Sequence, residues 1–183
     1  MEINKKPQVI LLCGTSRSGK STWCKNFRKN NPNSVIVRAD DIRLAYGFRF
    51  NTAIEKQVNA VKETMLRALM LEDYDYILVD GTHTHEKSIR DVLKIAPDLS
   101  IQTVITDPQI CKDRAYACGT PDLIPVIDRM WNQLRNTLKT NCNRFSWDLD
   151  WIKDNAQIIM EEVVERLRKE VLEEKAKFER AVK

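Results

Sequence analysis

The sequence predicts an α/β fold with a mostly parallel sheet. Short apolar runs read as strands buried on both faces, and stretches with helical apolar spacing separate one run from the next. Strand and helix therefore alternate, the pattern of βαβ units. The first run is Val9-Ile10-Leu11-Leu12-Cys13, and a helix is expected over 20–30, ended by Asn31-Pro32-Asn33 because proline cannot continue it. Ser34-Val35-Ile36-Val37 is the second strand, and 52–71 is expected to be helical through Ala53, Val58, Val61, Met65 and Leu69. Tyr76-Ile77-Leu78-Val79 is the third strand, a helix is expected over 85–95 up to Ala96-Pro97-Asp98, and Ile101-Gln102-Thr103-Val104-Ile105 is the fourth strand. From 154 to 182 the pattern is one long amphipathic helix with Ile158, Ile159, Val163, Leu167, Val171 and Phe178 on its apolar side. Its first half is expected to cap the sheet.

Composition narrows the function classes. With 183 residues, 43% hydrophobic, 31% charged and few Gly or Pro, the chain reads as one soluble globular domain over 1–183. A formal charge of +4 tolerates a polyanionic partner but is too small for a dedicated nucleic-acid module. Five cysteines, Cys13, Cys24, Cys111, Cys118 and Cys142, form no close pair and no metal spacing, so a disulfide framework is excluded and a reducing cytoplasm is expected. The apolar run after Met1-Glu2-Ile3-Asn4-Lys5-Lys6-Pro7 is too short for a signal peptide or a membrane span.

The chemistry is concentrated at the ends of the predicted strands. Gly14-Thr15-Ser16-Arg17-Ser18-Gly19-Lys20-Ser21 fits G-x-x-x-x-G-K-[ST] directly after the first strand and before a helix, with Thr22 next in line. In such a loop the glycines let backbone N–H groups converge at a helix N-terminus, where anions are favoured. Lys20 is expected to reach the β- and γ-phosphates and Ser21 to ligate Mg²⁺. A cradle alone does not say what attacks the phosphate. The second strand ends in Arg38-Ala39-Asp40-Asp41-Ile42-Arg43, which offers a carboxylate to take a hydroxyl proton and an arginine to hold an acceptor anion. Asp40 and Asp41 also read as a helix cap and a dipole partner.

Asp80, at the end of the third strand, is expected to hold Mg²⁺ directly or through water. Gly81-Thr82-His83-Thr84-His85 follows it. The two histidines lack a nearby third ligand for zinc, and Leu78 stands where a D-x-D-G-T phosphatase needs its nucleophile. Residues 108–125, with Lys112-Asp113-Arg114 and Gly119-Thr120-Pro121, have the basic, hinged character of a lid over phosphates.

Gly19-Lys20-Ser21-Thr22-Trp23, Arg38 to Arg43, Val79-Asp80-Gly81-Thr82-His83, and Gly119-Thr120 with Ile124-Pro125 together resemble the kinase domain of phage-type polynucleotide 5′-hydroxyl kinases. More broadly the chain is similar to the P-loop kinases grouped with zeta toxins and adenylylsulfate kinases, from about residue 9 to 138. The resemblance implies a P-loop kinase fold using ATP, or GTP, with Mg²⁺. It implies Asp40 as general base, Arg43 on the phosphate beside the acceptor sugar with Asp41 near it, and Thr82 and His83 on the acceptor side, with His83 standing where the family has Asn. Arg114 matches one basic lid residue, while Cys118 stands in place of a lid arginine for which Arg17 or Arg129 are the candidate substitutes.

The expected acceptor is a nucleic acid 5′-hydroxyl end. The alternatives are a kinase for a small hydroxylated molecule, such as a nucleoside, modified base, sugar nucleotide or antibiotic, and a nucleotide-dependent binding module in which Asp40 only caps a helix. The long C-terminal helix is a further surface available for pairing with a second copy.

Overall fold

The computed structural model describes residues 6–47, 50–142 and 148–181. Four parallel strands, β1 (Gln8–Cys13), β2 (Ser34–Arg38), β3 (Tyr76–Asp80) and β4 (Ser100–Thr103), stand in the order β2-β3-β1-β4. The chain runs outward from β1 to β2, returns to β3, then crosses to β4, so the winding direction reverses beside β1. Open α/β sheets bind ligands at such a point, outside the carboxyl ends of the strands. The register aligns those ends: Arg38 lies opposite Asp80, and Cys13 opposite Thr103.

Both faces of the sheet are covered, which is why its strands read as apolar runs. Val9, Leu11, Val37, Ile77 and Val79 belong to the larger core with α4 (Glu86–Leu93), α6 (Ile124–Asn141) and α7 (Leu149–Ala181). Ile10, Leu12 and Leu78 face α1 (Lys20–Asn30) through Cys24. There Trp23 stacks on Phe27 with ring centroids 5.0 Å apart, and Phe27 meets Tyr76 edge-on at 5.0 Å. Helix α2 (Ala39–Ala45) leaves β2, α3 (Glu55–Leu69) follows, and α5 (Pro108–Ala117) starts at a proline under an Asp107 cap whose carboxylate accepts from Gln109 N at 2.7 Å.

Several boundaries differ from the sequence expectation. Residues 52–54 form a 3₁₀ turn before α3. Strand β4 ends at Thr103, although Val104 N still donates to Cys13 O at 2.8 Å. Helix α6 has no counterpart among the sequence expectations. Helix α7 begins at Leu149 because Asp148 Oδ1 accepts from Trp151 N at 2.8 Å; its expected last residue, Val182, and the leader Met1–Lys5 lie outside the described residues. The apolar face of α7 also needs correction: Ile158 is 59% and Phe178 72% exposed. The buried stripe runs instead through Ile152, Ala156, Ile159, Met160, Val163, Val164, Leu167 and Val171. Ile158 sits about 100° around the helix from Ile159, and Phe178 lies past Val171, the last buried residue. Among the described residues no helix is long and apolar enough to cross a membrane.

The outer edge of β4 would expose unpaired backbone groups. Helix α7 closes it with one side chain, Gln157, whose amide imitates a neighbouring strand. Its Oε1 accepts from Thr103 N and Thr103 Oγ1, both at 2.8 Å, and its Nε2 donates to Ile101 O at 2.8 Å. Gln157→Ala leaves one donor and one acceptor of the sheet edge without their partner, so stability should fall by about 2 kcal/mol. Urea unfolding of wild type and variant measures it; a change within ~0.5 kcal/mol would mean that water serves the edge equally well.

Candidate active site

The cradle follows from β1 meeting a helix through a loop that only certain residues can follow. Gly14 carries φ 155° and lies so close to Val104 that a Cβ would collide with the Val104 carbonyl oxygen. Gly19, with φ 105°, turns the chain into α1. Gly14 N donates to Thr82 O at 2.9 Å and Thr106 Oγ1 to Ser18 O at 2.7 Å, which fasten the loop to the segments after β3 and β4. Thr15 and Ser18 are buried, Ser16 and Arg17 half-buried, and Thr22 exposed.

Lys20 is 7% exposed, and its Nζ donates back to Thr15 O at 2.6 Å and to Ser18 Oγ at 3.5 Å. Burial pushes its ammonium below the usual lysine range, and the Asp80 carboxylate pulls the other way. A positive charge removed from water and facing mainly neutral oxygens is a site for an anion. Beside it, Ser21 Oγ donates to Asp80 Oδ2 at 2.7 Å. Two hard oxygens held this close, next to the cradle, suit a shared Mg²⁺. The cradle likewise fits a polyphosphate, since the buried Lys20 ammonium is bonded only to the neutral oxygens of Thr15 and Ser18. The thiol of Cys13 beneath is pushed up to about 12 by burial, which excludes it as a thiolate at neutral pH.

Across the sheet edge stand the α2 residues. Neither aspartate caps the helix: Arg38 is the cap residue and makes no capping bond through its side chain. Arg38 Nη2 donates to Asp41 Oδ1 at 2.5 Å, with Nη1 4.0 Å from Asp80 Oδ2. Asp40, 75% exposed, accepts on Oδ1 from Arg43 Nη1 at 2.5 Å. Arg43 spends its other edge on Glu55, Nε and Nη2 each donating at 2.7 Å to the two carboxylate oxygens. Phe50 lies 5.5 Å from the Arg43 guanidinium. The two aspartates thus belong to separate networks, Asp41 to the strand end and Asp40 to an Arg43–Glu55 clamp.

Glu55 and Lys62 were not singled out from the sequence. Both lie on one face of α3, two helical turns apart, and burial pushes Lys62 below the usual lysine range. Their spacing was legible; that the face meets Arg43 was not. Among the expected lid residues, Arg114 is exposed and donates to Arg17 O at 3.0 Å, while Arg17 Nη2 donates to Thr120 Oγ1 at 3.0 Å. Cys118 is exposed.

Thr82 contributes its carbonyl to Gly14, and His83 turns inward. His83 is 5% exposed, with a left-handed φ of 38° and, among the described residues, no partner for either ring nitrogen. It packs against Gly81, where a Cβ would strike its ring. His85, by contrast, caps α4 by accepting from Ser88 N at 3.3 Å. Burial pushes the His83 imidazole down to about 3, so the unfolded chain binds its proton first. The contribution of neutral His83 is therefore complete above pH ~6.5 and is lost as pH falls from ~6.5 toward ~3, by about 1.4 kcal/mol per pH unit. Wild type should lose about 2 kcal/mol more between pH 7 and 5 than His83→Asn, whose asparagine tolerates the same backbone; identical pH dependence would show His83 to be solvated.

Solved structures place this arrangement among known folds. A chain of the Pnkp1/Rnl/Hen1 RNA repair complex superposes with TM-score 0.64 at 20% identity, over 81% of this chain and 49% of that one. A second structure of a Pnkp1/Rnl/Hen1 complex matches with TM-score 0.54 at 24% identity, over 60% and 39%. The chain thus spans half or less of the length of these two relatives. A gluconokinase from Sinorhizobium meliloti 1021 matches over 91% of this chain and 98% of its own, with TM-score 0.51 and 13% identity. At these identities the likeness is one of fold. No curated protein matches in sequence. The sequence model of the AAA domain family covers residues 9–140, from β1 to the end of α6. The chain belongs to that family, and its fold is the kinase type of P-loop fold.

Proposed function

We propose that this protein is a kinase that transfers the terminal phosphoryl group of ATP, or GTP, to the 5′-hydroxyl of a polynucleotide. The observation that carries the reading is the Asp40–Arg43–Glu55 network between α2 and α3, whose Asp40 carboxylate is near enough to Lys20 to act on its charge. A cradle that only sensed nucleotide would need no oriented carboxylate and arginine opposite it.

In this reading Lys20 and the loop N–H groups hold the β- and γ-phosphates, and Ser21 and Asp80 hold Mg²⁺. Bound there, Mg²⁺ would neutralise phosphate charge. Asp40 takes the acceptor proton on the oxygen that Arg43 leaves available. As the acceptor oxygen bonds to the γ-phosphorus, the bond to the bridging oxygen breaks and the diphosphate leaves with the electron pair. Glu55 fixes Arg43, so the arginine meets an acceptor phosphate in a set orientation rather than as a free cation.

Exposed aromatic side chains support a nucleic acid acceptor. Exposed Phe50 beside Arg43 and exposed Tyr46, which follows the last residue of α2, offer faces for base stacking. A cavity of about 400 Å³, lined by Ile36, Arg38, Ile42, Tyr46 and Met65 among others, opens behind Asp41 with mostly apolar walls. The same cavity favours, as a second reading, a small hydroxylated acceptor. The five free cysteines fit a reducing, cytoplasmic setting.

Transfer of labelled γ-phosphate to 5′-hydroxyl DNA and RNA oligonucleotides, nucleosides and small alcohols, at two salt concentrations, tests the reading. Oligonucleotides should be preferred, with a KM that rises steeply with salt; preference for an uncharged alcohol without salt dependence would establish the small-molecule kinase. Asp40→Asn should lower turnover by about 10²-fold or more with ATP affinity unchanged, as for loss of a general base. Asp41→Asn should do less, because Asp41 belongs to the Arg38 network at the strand end and not to the Arg43–Glu55 clamp that meets the acceptor; the reverse order would reassign the base.

A further inference from the structure

The cavity beside α2 lies at the open edge of the sheet, since β2 is an outer strand. Ile36 on β2, Ile42 on α2, and Val61 and Met65 on α3 give it apolar walls. Among the residues that line it, only Arg38 and Asp41 are charged. Its volume of about 400 Å³ is that of a small-ligand site, and apolar walls with a few polar groups suit a heteroaromatic ring.

Arg38 ties the cavity to the reaction centre. Its Nη2 donates to Asp41 Oδ1 at 2.5 Å, while Nη1 stands 4.0 Å from Asp80 Oδ2, the oxygen that accepts from Ser21. A nucleoside with its 5′-hydroxyl at the cradle carries its base a sugar's breadth away. The polar groups that such a base would meet have a definite order. A guanidinium only donates and a carboxylate only accepts. Asp41 bonds Arg38 through Oδ1, which keeps a second lone pair, and its Oδ2 makes no hydrogen bond among the described residues. Arg38 followed by Asp41 thus presents donor, acceptor, acceptor. Guanine presents the complement, acceptor, donor, donor, through O6, N1–H and the 2-amino group. Adenine and cytosine match at most two of these positions in either direction, and uracil sets a carbonyl against a carboxylate oxygen.

We propose that this cavity receives the guanine base of the acceptor's terminal nucleoside, so that the chain selects 5′-hydroxyl ends that begin with guanosine. Arg38 and Asp41 keep their ion pair, and each adds bonds to the base. The choice of a nucleic acid end rests on the polynucleotide reading above, whereas the choice of base rests on the cavity. A contact made equally before and during transfer changes affinity and not turnover, in keeping with the lesser effect on turnover expected of Asp41→Asn.

Fluorescence anisotropy of 3′-labelled oligoribonucleotides that differ only in their first residue, with Mg²⁺ and the β,γ-imido analogue of ATP present, measures the base choice. Wild type should bind a 5′-guanosine end about tenfold more tightly than a 5′-uridine end, with 5′-inosine, which lacks the 2-amino group, between them. Equal affinities for all ends, or no binding of any, overturn the proposal. Asp41→Asn presents donor, acceptor, donor, the complement of uracil, and should therefore prefer 5′-uridine to 5′-guanosine. A variant that binds every end more weakly in the wild-type order would show Asp41 to be only structural. Free guanosine that displaces the 5′-guanosine oligonucleotide at matching concentration would make a lone nucleoside the occupant and overturn the choice of a nucleic acid end. If the guanosine preference holds while no end is phosphorylated, the kinase reading fails and the base choice of the cavity stands.

Discussion

The site depends on one buried positive charge. Lys20 sits under the loop that carries it, bonded to the Thr15 carbonyl at 2.6 Å, with its ammonium driven below its ordinary range by burial. An isolated buried cation is costly, so the surrounding structure is arranged to bear it. Asp80 at the end of β3 opposes the shift, and the parallel register that sets Arg38 beside Asp80 brings a second charge network to the same edge. The glycines at 14 and 19 give the loop a curl that other residues would block or strain.

From that edge outward, charges are handled in two ways. At the end of β2 and on α2 every cation has an anion: Arg38 with Asp41, Arg43 with Asp40 and Glu55. Around the cradle the cations Lys20, Arg17 and Arg114 bond to neutral oxygens. The asymmetry distinguishes a region built to orient groups from a region built to receive negative charge. It also explains why Glu55 matters, because an arginine held on two edges is a directed donor and not a diffuse charge.

What could be read from the sequence was local. β1, the cradle and the start of α1 are contiguous, and each residue type there has a backbone or charge reason visible within a few positions. Pairings across long sequence separations were not legible. Arg43 reaches Glu55 across 12 positions, Gln157 reaches Thr103 across 54, and Arg17 reaches Thr120 across 103. Each involves a common polar residue whose partner only the fold reveals. The misplaced Ile158 and Phe178 have a different cause: a helix of 33 residues drifts around its axis and runs past the sheet, so apolar residues alone do not mark its packed face. His83 reads in sequence as a loop residue on the acceptor side, whereas in the structure it is 5% exposed and packs against Gly81.

The central claim is that the cradle bears an electrostatic cost which a bound polyphosphate relieves. Thermal unfolding of wild type and Lys20→Met, with and without Mg²⁺-ATP at about 100 times the dissociation constant, tests it directly. Wild type should gain about 2.7 kcal/mol on addition of nucleotide. Lys20→Met, which replaces the buried charge by an apolar chain of similar length, should be as stable as ligand-free wild type or more so, and should gain nothing from nucleotide. A variant that is destabilised without ligand, yet still stabilised by nucleotide as much as wild type, would contradict the account.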